Sequence, residues 1–167
     1  MTFAPGSLTV REPVAATDTI FQVLAHEHRD LEAELAALHV RAAENMVAAR
    51  AMFPKIAAAI LAHLHAEDAV LMPRLAQIPG LSQMLAGSRA DHARVESETL
   101  ALDRPNLTDS EWLRALRRLE AELVRLIERE EAHVYPAARR ALPPEEAKLL
   151  ARELRRIEDR ELALMMR

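Results

Sequence analysis

A histidine and a glutamate four residues apart, His63 and Glu67, are the residues of this sequence best placed to do chemistry together. Residues at this spacing project from the same face of an α-helix, one turn apart, so an imidazole and a carboxylate can hold one metal ion. The apolar neighbours Leu64, Val70 and Leu71 place the pair at the edge of a buried stripe. In isolation such a pair would indicate an ordinary ion pair on a helix surface, so a metal site requires contributions from other helices.

Three other predicted helices carry a similar residue within an apolar seam. The first helix has His28, the third has His92, and the fourth has Glu130. His92 lies 64 residues after His28, and Glu130 lies 63 residues after Glu67, which indicates two related hairpins. In each hairpin a histidine is followed, after a long gap, by an acidic pair and then by a proline. The repeat predicts that both hairpins contribute to one site.

These side chains are expected to converge, because interior residues near the middle of antiparallel helices lie at one level of a bundle. The predicted metal ligands are His28, His63, Glu67, His92 and Glu130. Glu96, one turn after His92, is a further candidate. Imidazole and carboxylate ligands suit iron, manganese or zinc, and two bridging carboxylates favour a two-metal centre. The sequence contains no cysteine, which excludes thiolate ligands and disulfides.

The elements that position these residues are predicted to be helices. Hydrophobic residues make up 50% of the chain, Ala, Leu, Glu and Arg are abundant, and only 3 of 167 residues are glycine. Thr19 with Gln22, and Thr108 with Glu111, form capping-box patterns that predict the starts of the first and fourth helices. The second helix is expected to begin or kink at Pro54.

The predicted fold is all-α, an antiparallel up-down-up-down four-helix bundle with an extra C-terminal helix. The expected boundaries are an N-terminal arm at 1–17, the bundle at 18–141 and a C-terminal amphipathic helix at 142–167. The apolar residues of that last helix are Leu150, Leu154, Ile157 and Leu164. Such a face can pack on the outside of the bundle or on a second copy of the chain in a homodimer.

Charge and composition narrow the classes of partner. The net charge is −4 and aromatic residues make up 3% of the chain, so neither a phosphate-binding surface nor base stacking is indicated, and nucleic acid is not an expected partner. No uninterrupted run of about 18 apolar residues and no signal-peptide pattern occurs, so no membrane association is expected. The predicted location is the cytoplasm.

Taken together, these motifs resemble the hemerythrin-like HHE cation-binding family. The similarity consists of a histidine in the first helix, a His-x-x-x-Glu motif in the second and in the third, and an acidic pair before a proline in the fourth. The matching residues are His28, His63 to Glu67, His92 to Glu96, and Glu130 to Pro136. The resemblance covers roughly residues 18–141. It implies a four-helix bundle with a non-haem di-iron centre, used in oxygen binding, in oxygen, redox or iron sensing, or in resistance to nitrosative stress.

The resemblance also implies how the ligands are divided. His28 and His63 would serve one iron. Glu67 and Glu130 would bridge, and residues of the third and fourth helices, His92 among them, would serve the other iron.

One position departs from the family pattern. Leu126 stands where the fourth helix would carry a histidine, four residues before Glu130. His133, three residues after Glu130 and also in the predicted seam, can supply the missing ligand from further along the helix. The other possibilities are a single well-ligated metal and a site that has been lost.

The sequence therefore predicts a protein with one or two non-haem irons per chain, or another divalent metal, that binds or senses oxygen, nitric oxide or an oxidant. It contains no acid/base pair outside the metal set and no glycine-rich phosphate loop, which favours ligand binding over catalysis. Leu126 favours an alternative, a degenerate bundle that acts as a structural or interaction module without a full metal centre. A third hypothesis is a carboxylate-bridged oxidase or peroxidase-like enzyme.

Overall fold

The computed structural model describes residues 14–166, and within that range the chain forms helices and no strands. The helices are α1 (Ile20–Glu44), α2 (Met46–Leu75), α3 (Ser82–Leu102), α4 (Asp109–Arg129), α5 (Tyr135–Ala141) and α6 (Pro144–Met165). A π-helical turn, Glu130–Val134, joins α4 directly to α5, so these three segments form one continuous rod. The predicted all-α bundle with an extra C-terminal helix is confirmed. Most of the predicted N-terminal arm, residues 1–13, lies outside the described residues.

The starts of α1, α2 and α4 follow from local capping. The Thr19 backbone N–H donates to Gln22 Oε1 at 2.9 Å. The Thr108 N–H donates to Glu111 Oε2 at 2.8 Å, and the Glu111 N–H donates back to Thr108 Oγ1 at 3.3 Å. Both predicted capping boxes therefore form, and each such cap contributes about 1 kcal/mol. Asn45 alone separates α1 from α2, and its side chain caps α2 by accepting the Ala48 N–H at 3.0 Å.

Helix α2 is the longest helix of the described chain and runs through Pro54 from its start at Met46. By length and composition it is apolar enough to cross a membrane, with a mean hydropathy of 1.4 over its most apolar window. Half of that window is buried inside the fold, and the core helix of a soluble bundle passes the same test. The feature is therefore weak evidence for a membrane span.

Two apolar clusters lie on either side of the middle of the bundle. One cluster contains Leu31 and Leu35 of α1 and is anchored by Phe53 and Trp112, whose rings meet edge to face with centroids 6.1 Å apart. The other contains Leu24, together with residues of α2 and α5. The interior polar residues of α1 and α2 fall between the two clusters, so both ends of the site are closed by packed side chains.

Helix α6 packs on α2 and α1 of its own chain. Its buried residues are Ala147, Ala151, Leu154 and Glu158. The prediction of the apolar face of α6 is only partly correct, because Leu154 is buried whereas Leu164 is 56% exposed. Of the two predicted packing modes, the structure shows packing on the outside of the bundle, and the homodimer stays a prediction.

Candidate metal centre

The five main predicted ligands meet in the middle of the bundle. Helix α1 supplies His28, α2 supplies His63 and Glu67, α3 supplies His92, and the π-helical turn begins with Glu130. None of these five residues is more than 3% exposed. The heptad-like spacing of the helices, which places one residue of each seam at the same level, accounts for this convergence.

The Nε2 atoms of two histidines point at the carboxylates of Glu67 and Glu130. His92 Nε2 lies 3.0 Å from Glu130 Oε1 and 3.7 Å from Glu67 Oε2. His28 Nε2 lies 3.4 Å from Glu130 Oε2. Each carboxylate therefore contributes to a shared cluster of nitrogen and oxygen atoms.

The third histidine joins the cluster through Glu67. His63 Nε2 lies 3.9 Å from Glu67 Oε2, and the His63 ring meets the His28 ring edge to face with centroids 5.1 Å apart. The contacts thus group His63 with His92 near one oxygen of Glu67. The division of the histidines between two irons that the resemblance implies stays a prediction.

Each of the three imidazoles is oriented by a second carboxylate at its other nitrogen. His28 Nδ1 lies 2.9 Å from Glu131 Oε1 and His92 Nδ1 lies 3.0 Å from Asp68 Oδ1. His63 Nδ1 lies 3.0 Å from Glu27 Oε2. A carboxylate on Nδ1 fixes the tautomer that leaves Nε2 free to bind an ion, which is the usual outer support of a metal-binding histidine. These three acidic residues neighbour predicted ligands in the sequence, but spacing alone did not assign them a role.

The two central carboxylates have opposite pKa shifts. Burial and the neighbouring Glu130 raise the pKa of Glu67, whereas hydrogen bonds to His28 and His92 outweigh burial and lower the pKa of Glu130. Two carboxylates in a dry site repel each other, so one of them holds a proton that a cation would displace. Metal affinity is therefore expected to fall as pH falls.

The three histidines also differ in their pKa values. Burial and the nearby His28 lower the pKa of His63 to about 3. Burial opposes the charged form of His92 as well, but hydrogen bonds to Asp68 and Glu130 raise its pKa to about 10. The pKa of His28 is raised because its interactions with Glu130 and other carboxylates outweigh burial. The carboxylates around His28 and His92 thus stabilise positive charge on those two rings, whereas burial and the nearby His28 favour the neutral form of His63.

A tyrosine that the sequence reasoning missed lies in the same cluster. The Tyr135 hydroxyl is 3.2 Å from Glu130 Oε2 and 3.3 Å from both Glu67 Oε1 and His28 Nε2. The π-helical turn puts it there, because the Tyr135 N–H donates to the Glu130 carbonyl five residues back and residue i+5 returns to the face of residue i. Burial and the charges of Glu130 and Glu67 raise the pKa of Tyr135 well above its usual value.

The π-helical turn also explains why His133 does not join the centre. In a regular α-helix His133 would stay close to the seam of Glu130, but the wider turn rotates it outward. His133 is exposed and lines a surface cavity of about 400 Å³ with Gly80, Gln83, Met84, Gly87 and Arg129. The exposed position of His133 therefore does not support its predicted role as the replacement for the ligand missing at Leu126.

Glu96 is likewise outside the centre. Its side chain is 46% exposed, and the imidazole of His65 lies 3.8 Å from its carboxylate. Val95, the preceding residue, is fully buried, so α3 turns Val95 inward and Glu96 outward. The prediction of Glu96 as a sixth ligand is not supported by its position.

Helix α6 adds a second charged layer behind His63, which the sequence reasoning also missed. Arg155 Nη1 lies 2.9 Å from Glu27 Oε1 and 3.1 Å from Glu158 Oε2. Glu158 is fully buried, and its Oε1 lies 4.0 Å from His63 Nδ1. The spacing of Glu27, His63 and Glu158 alone would allow a cation between them. The Arg155 guanidinium already brings a positive charge to both carboxylates, so this group supports the centre from outside.

The residues of the centre fit a metal ion. Glu67, His92 and Glu130 each offer a ligand atom, and those atoms lie within 4.8 Å of one another. His63 Nε2 and Glu67 Oε2 are buried and have no hydrogen-bond partner among the described residues. Buried polar atoms without a partner are costly, and a cation between them would supply the missing interaction.

Comparison with known proteins gives one result. The sequence profile described as the hemerythrin HHE cation binding domain matches residues 19–138, which is more than half of the chain. No curated protein and no solved structure matches the chain. The matched segment contains the five central ligands and Tyr135 but ends before α6.

Proposed function

Because the chain belongs to the hemerythrin HHE cation-binding domain family, we propose that its buried cluster of histidines and glutamates holds one or two non-haem iron ions that bind a small diatomic ligand or oxidant. Cation binding is the property that the family carries. What we propose beyond this property is that the metal is iron and that it binds a small ligand, with oxygen and nitric oxide as the first candidates.

The donor set is compatible with iron. The proposed ligands are imidazole nitrogens and carboxylate oxygens, from His28, His63, Glu67, His92 and Glu130. Such a mixed set suits iron, manganese or zinc, and carboxylates from two helices can bridge a metal pair. Iron bound here would supply a reversible change of oxidation state and coordination positions for an added ligand. The chain's own residues hold the charge, orient the imidazoles and exclude water.

The burial of the centre is the observation that limits the ligand. The central side chains are at most 3% exposed, and packed apolar clusters close both ends. A molecule that reaches them must be small, since a large organic substrate would have to displace the core. This argues for a diatomic ligand or a small oxidant rather than turnover of a metabolite.

The competing proposal is a bundle that works as a structural or interaction module without a full metal centre. Leu126 is the observation in its favour, because it is fully buried within an apolar cluster and offers no ligand atom. The two proposals differ in one measurable property, the amount of metal that the folded protein retains.

Metal analysis of protein loaded with ferrous iron without oxygen tests the proposal. We expect one or two irons per chain, and an absorption spectrum that changes when azide, nitric oxide or oxygen is added. Loading with manganese or zinc in parallel shows whether the centre prefers iron. A folded protein that retains almost no metal of any kind would contradict the proposal and favour the interaction module.

Removing the metal is expected to lower the thermal stability. An ion that binds only the folded state, present at about 100 times its Kd, contributes about 2.7 kcal/mol. For a domain of this size the loss lowers Tm by roughly 5–11 °C. Thermal melts of the metal-loaded protein, before and after treatment with a chelator, give the difference. Equal Tm values for the two forms would contradict binding to the folded centre.

A further inference from the structure

We propose that Tyr135 is itself a metal ligand, and that its phenolate oxygen adds a donor on the His28 side of the centre. The proposal rests on the proposed iron centre and adds a residue to its ligand set. It starts from the position of one hydroxyl, which lies within 3.3 Å of atoms of His28, Glu67 and Glu130.

The phenol of Tyr135 has one proton to offer to these three neighbours. A tyrosine hydroxyl has one proton to donate, and an ionised carboxylate can only accept. Tyr135 can donate that proton to one carboxylate, and its contact with the second carboxylate then requires either a proton on that carboxylate or a cation between the two oxygens. A cation shared by the phenolate, the two carboxylates and His28 would take the place of these protons, and the phenol proton and the carboxyl proton would pass to solvent.

The spacing of the atoms also suits shared coordination. The Tyr135 oxygen, His28 Nε2, Glu67 Oε1 and Glu130 Oε2 have four separations between 3.2 and 3.4 Å. Atoms bonded at about 2.1 Å to one ion are about 3.0 Å apart at right angles and about 3.4 Å apart in a tetrahedron. The four separations fall in this range, so the phenol oxygen lies at the distances from its three neighbours that ligands of one ion would have.

The surroundings hold the ring of Tyr135 in this position. It stacks on His28 with ring centroids 5.7 Å apart and an angle of 14° between the ring planes. On another side it packs against the ring of Phe21, with centroids 5.8 Å apart. The π-helical turn fixes its backbone relative to Glu130. Turns of this kind are frequent at functional sites. Here the turn leaves His133 exposed and directs the buried phenol of Tyr135 into the centre.

Visible absorption and resonance Raman spectra of the ferric protein test the proposal. Phenolate bound to ferric iron gives a charge-transfer band in the visible, and excitation in that band enhances ring vibrations of tyrosinate. Tyr135 is the one tyrosine of the chain, so any such signal belongs to it. Protein loaded with zinc, which has no redox chemistry, should show neither band nor enhancement.

Tyr135→Phe is expected to remove the tyrosinate vibrations while the protein stays folded and retains iron on the histidines and glutamates. Phe21→Leu, which changes a ring contact and no ligand, is the matched control and should keep the signal. A ferric wild-type protein with bound iron and no tyrosinate vibrations would overturn the inference and leave the iron centre standing. Absence of iron from the folded wild-type protein would overturn the proposed function, and this inference with it.

Discussion

Glu130→Gln is expected to weaken metal binding by more than about 100-fold, because Glu130 lies within 3.4 Å of three other members of the centre, closer than Glu67 lies to its three. Its Oε1 lies 3.0 Å from His92, and its Oε2 lies 3.2 Å from Tyr135 and 3.4 Å from His28. The amide keeps the shape of the side chain but loses the negative charge and places an N–H₂ group where a ligand oxygen is needed. Competition with a chelator of known affinity measures the change in Kd.

Two further variants serve as comparisons for Glu130→Gln. Glu131→Gln changes the partially exposed residue that orients His28, and it should weaken binding by about 10–100-fold. Glu96→Gln changes an exposed carboxylate outside the centre and should leave Kd unchanged. Circular dichroism of each variant checks that the bundle is intact. Wild-type affinity in a folded Glu130→Gln protein would contradict the assignment of Glu130, and a loss in Glu96→Gln would place the site elsewhere.

The regular part of the site could be predicted because it depends on periodicity. His28, His63, Glu67 and His92 each interrupt an apolar seam, and a residue in a seam must face the core of a bundle. The offsets of 64 and 63 residues between the hairpins indicated which positions lie at one level. These inferences require only the rotation of about 100° per residue along an α-helix and the antiparallel packing of the helices.

The irregular part could not be predicted because it departs from that periodicity. A π-helical turn is rare and leaves little signal in the local sequence. The prediction therefore assumed a regular α-helix, which placed His133 in the seam and gave no reason to consider Tyr135. Pro136 follows directly after Tyr135 and cannot donate a backbone hydrogen bond, which is a local reason for the helix to depart from the α pattern there. The repeat with Pro73 pointed to this segment, but it did not indicate the widened turn.

Helix α6 shows a different limit of sequence reasoning. Its apolar residues suggested an amphipathic helix, yet the buried face includes Glu158 and brings Arg155 to Glu27. In the sequence alone, an acidic residue of a helix with many Arg and Glu residues is interpreted as part of a solvated face, even when the fold buries it. Only the contact with Glu27 shows that a helix outside the matched domain supports His63.

Arg155→Met is expected to destabilise the fold by about 3–5 kcal/mol, because it removes the cation that contacts two buried carboxylates. The Arg155 side chain is 16% exposed, and the Glu27 and Glu158 side chains that it contacts are 7% and 0% exposed. Methionine keeps much of the apolar stem and removes the charge. For a chain of this size the loss lowers Tm by roughly 6–20 °C, which chemical and thermal denaturation of the metal-free protein would measure.

The neighbouring arginine provides the matched control. Arg156 is 72% exposed and lies 3.8 Å from Glu153, so Arg156→Met should change stability by less than about 0.5 kcal/mol. Adding Glu158→Leu to Arg155→Met should recover part of the loss, because it removes one of the two carboxylates that lost their positive charge. Equal stabilities of the Arg155 and Arg156 variants would show that the charged layer behind His63 contributes nothing to the fold. A double variant no more stable than Arg155→Met would show that Glu158 is not part of that layer.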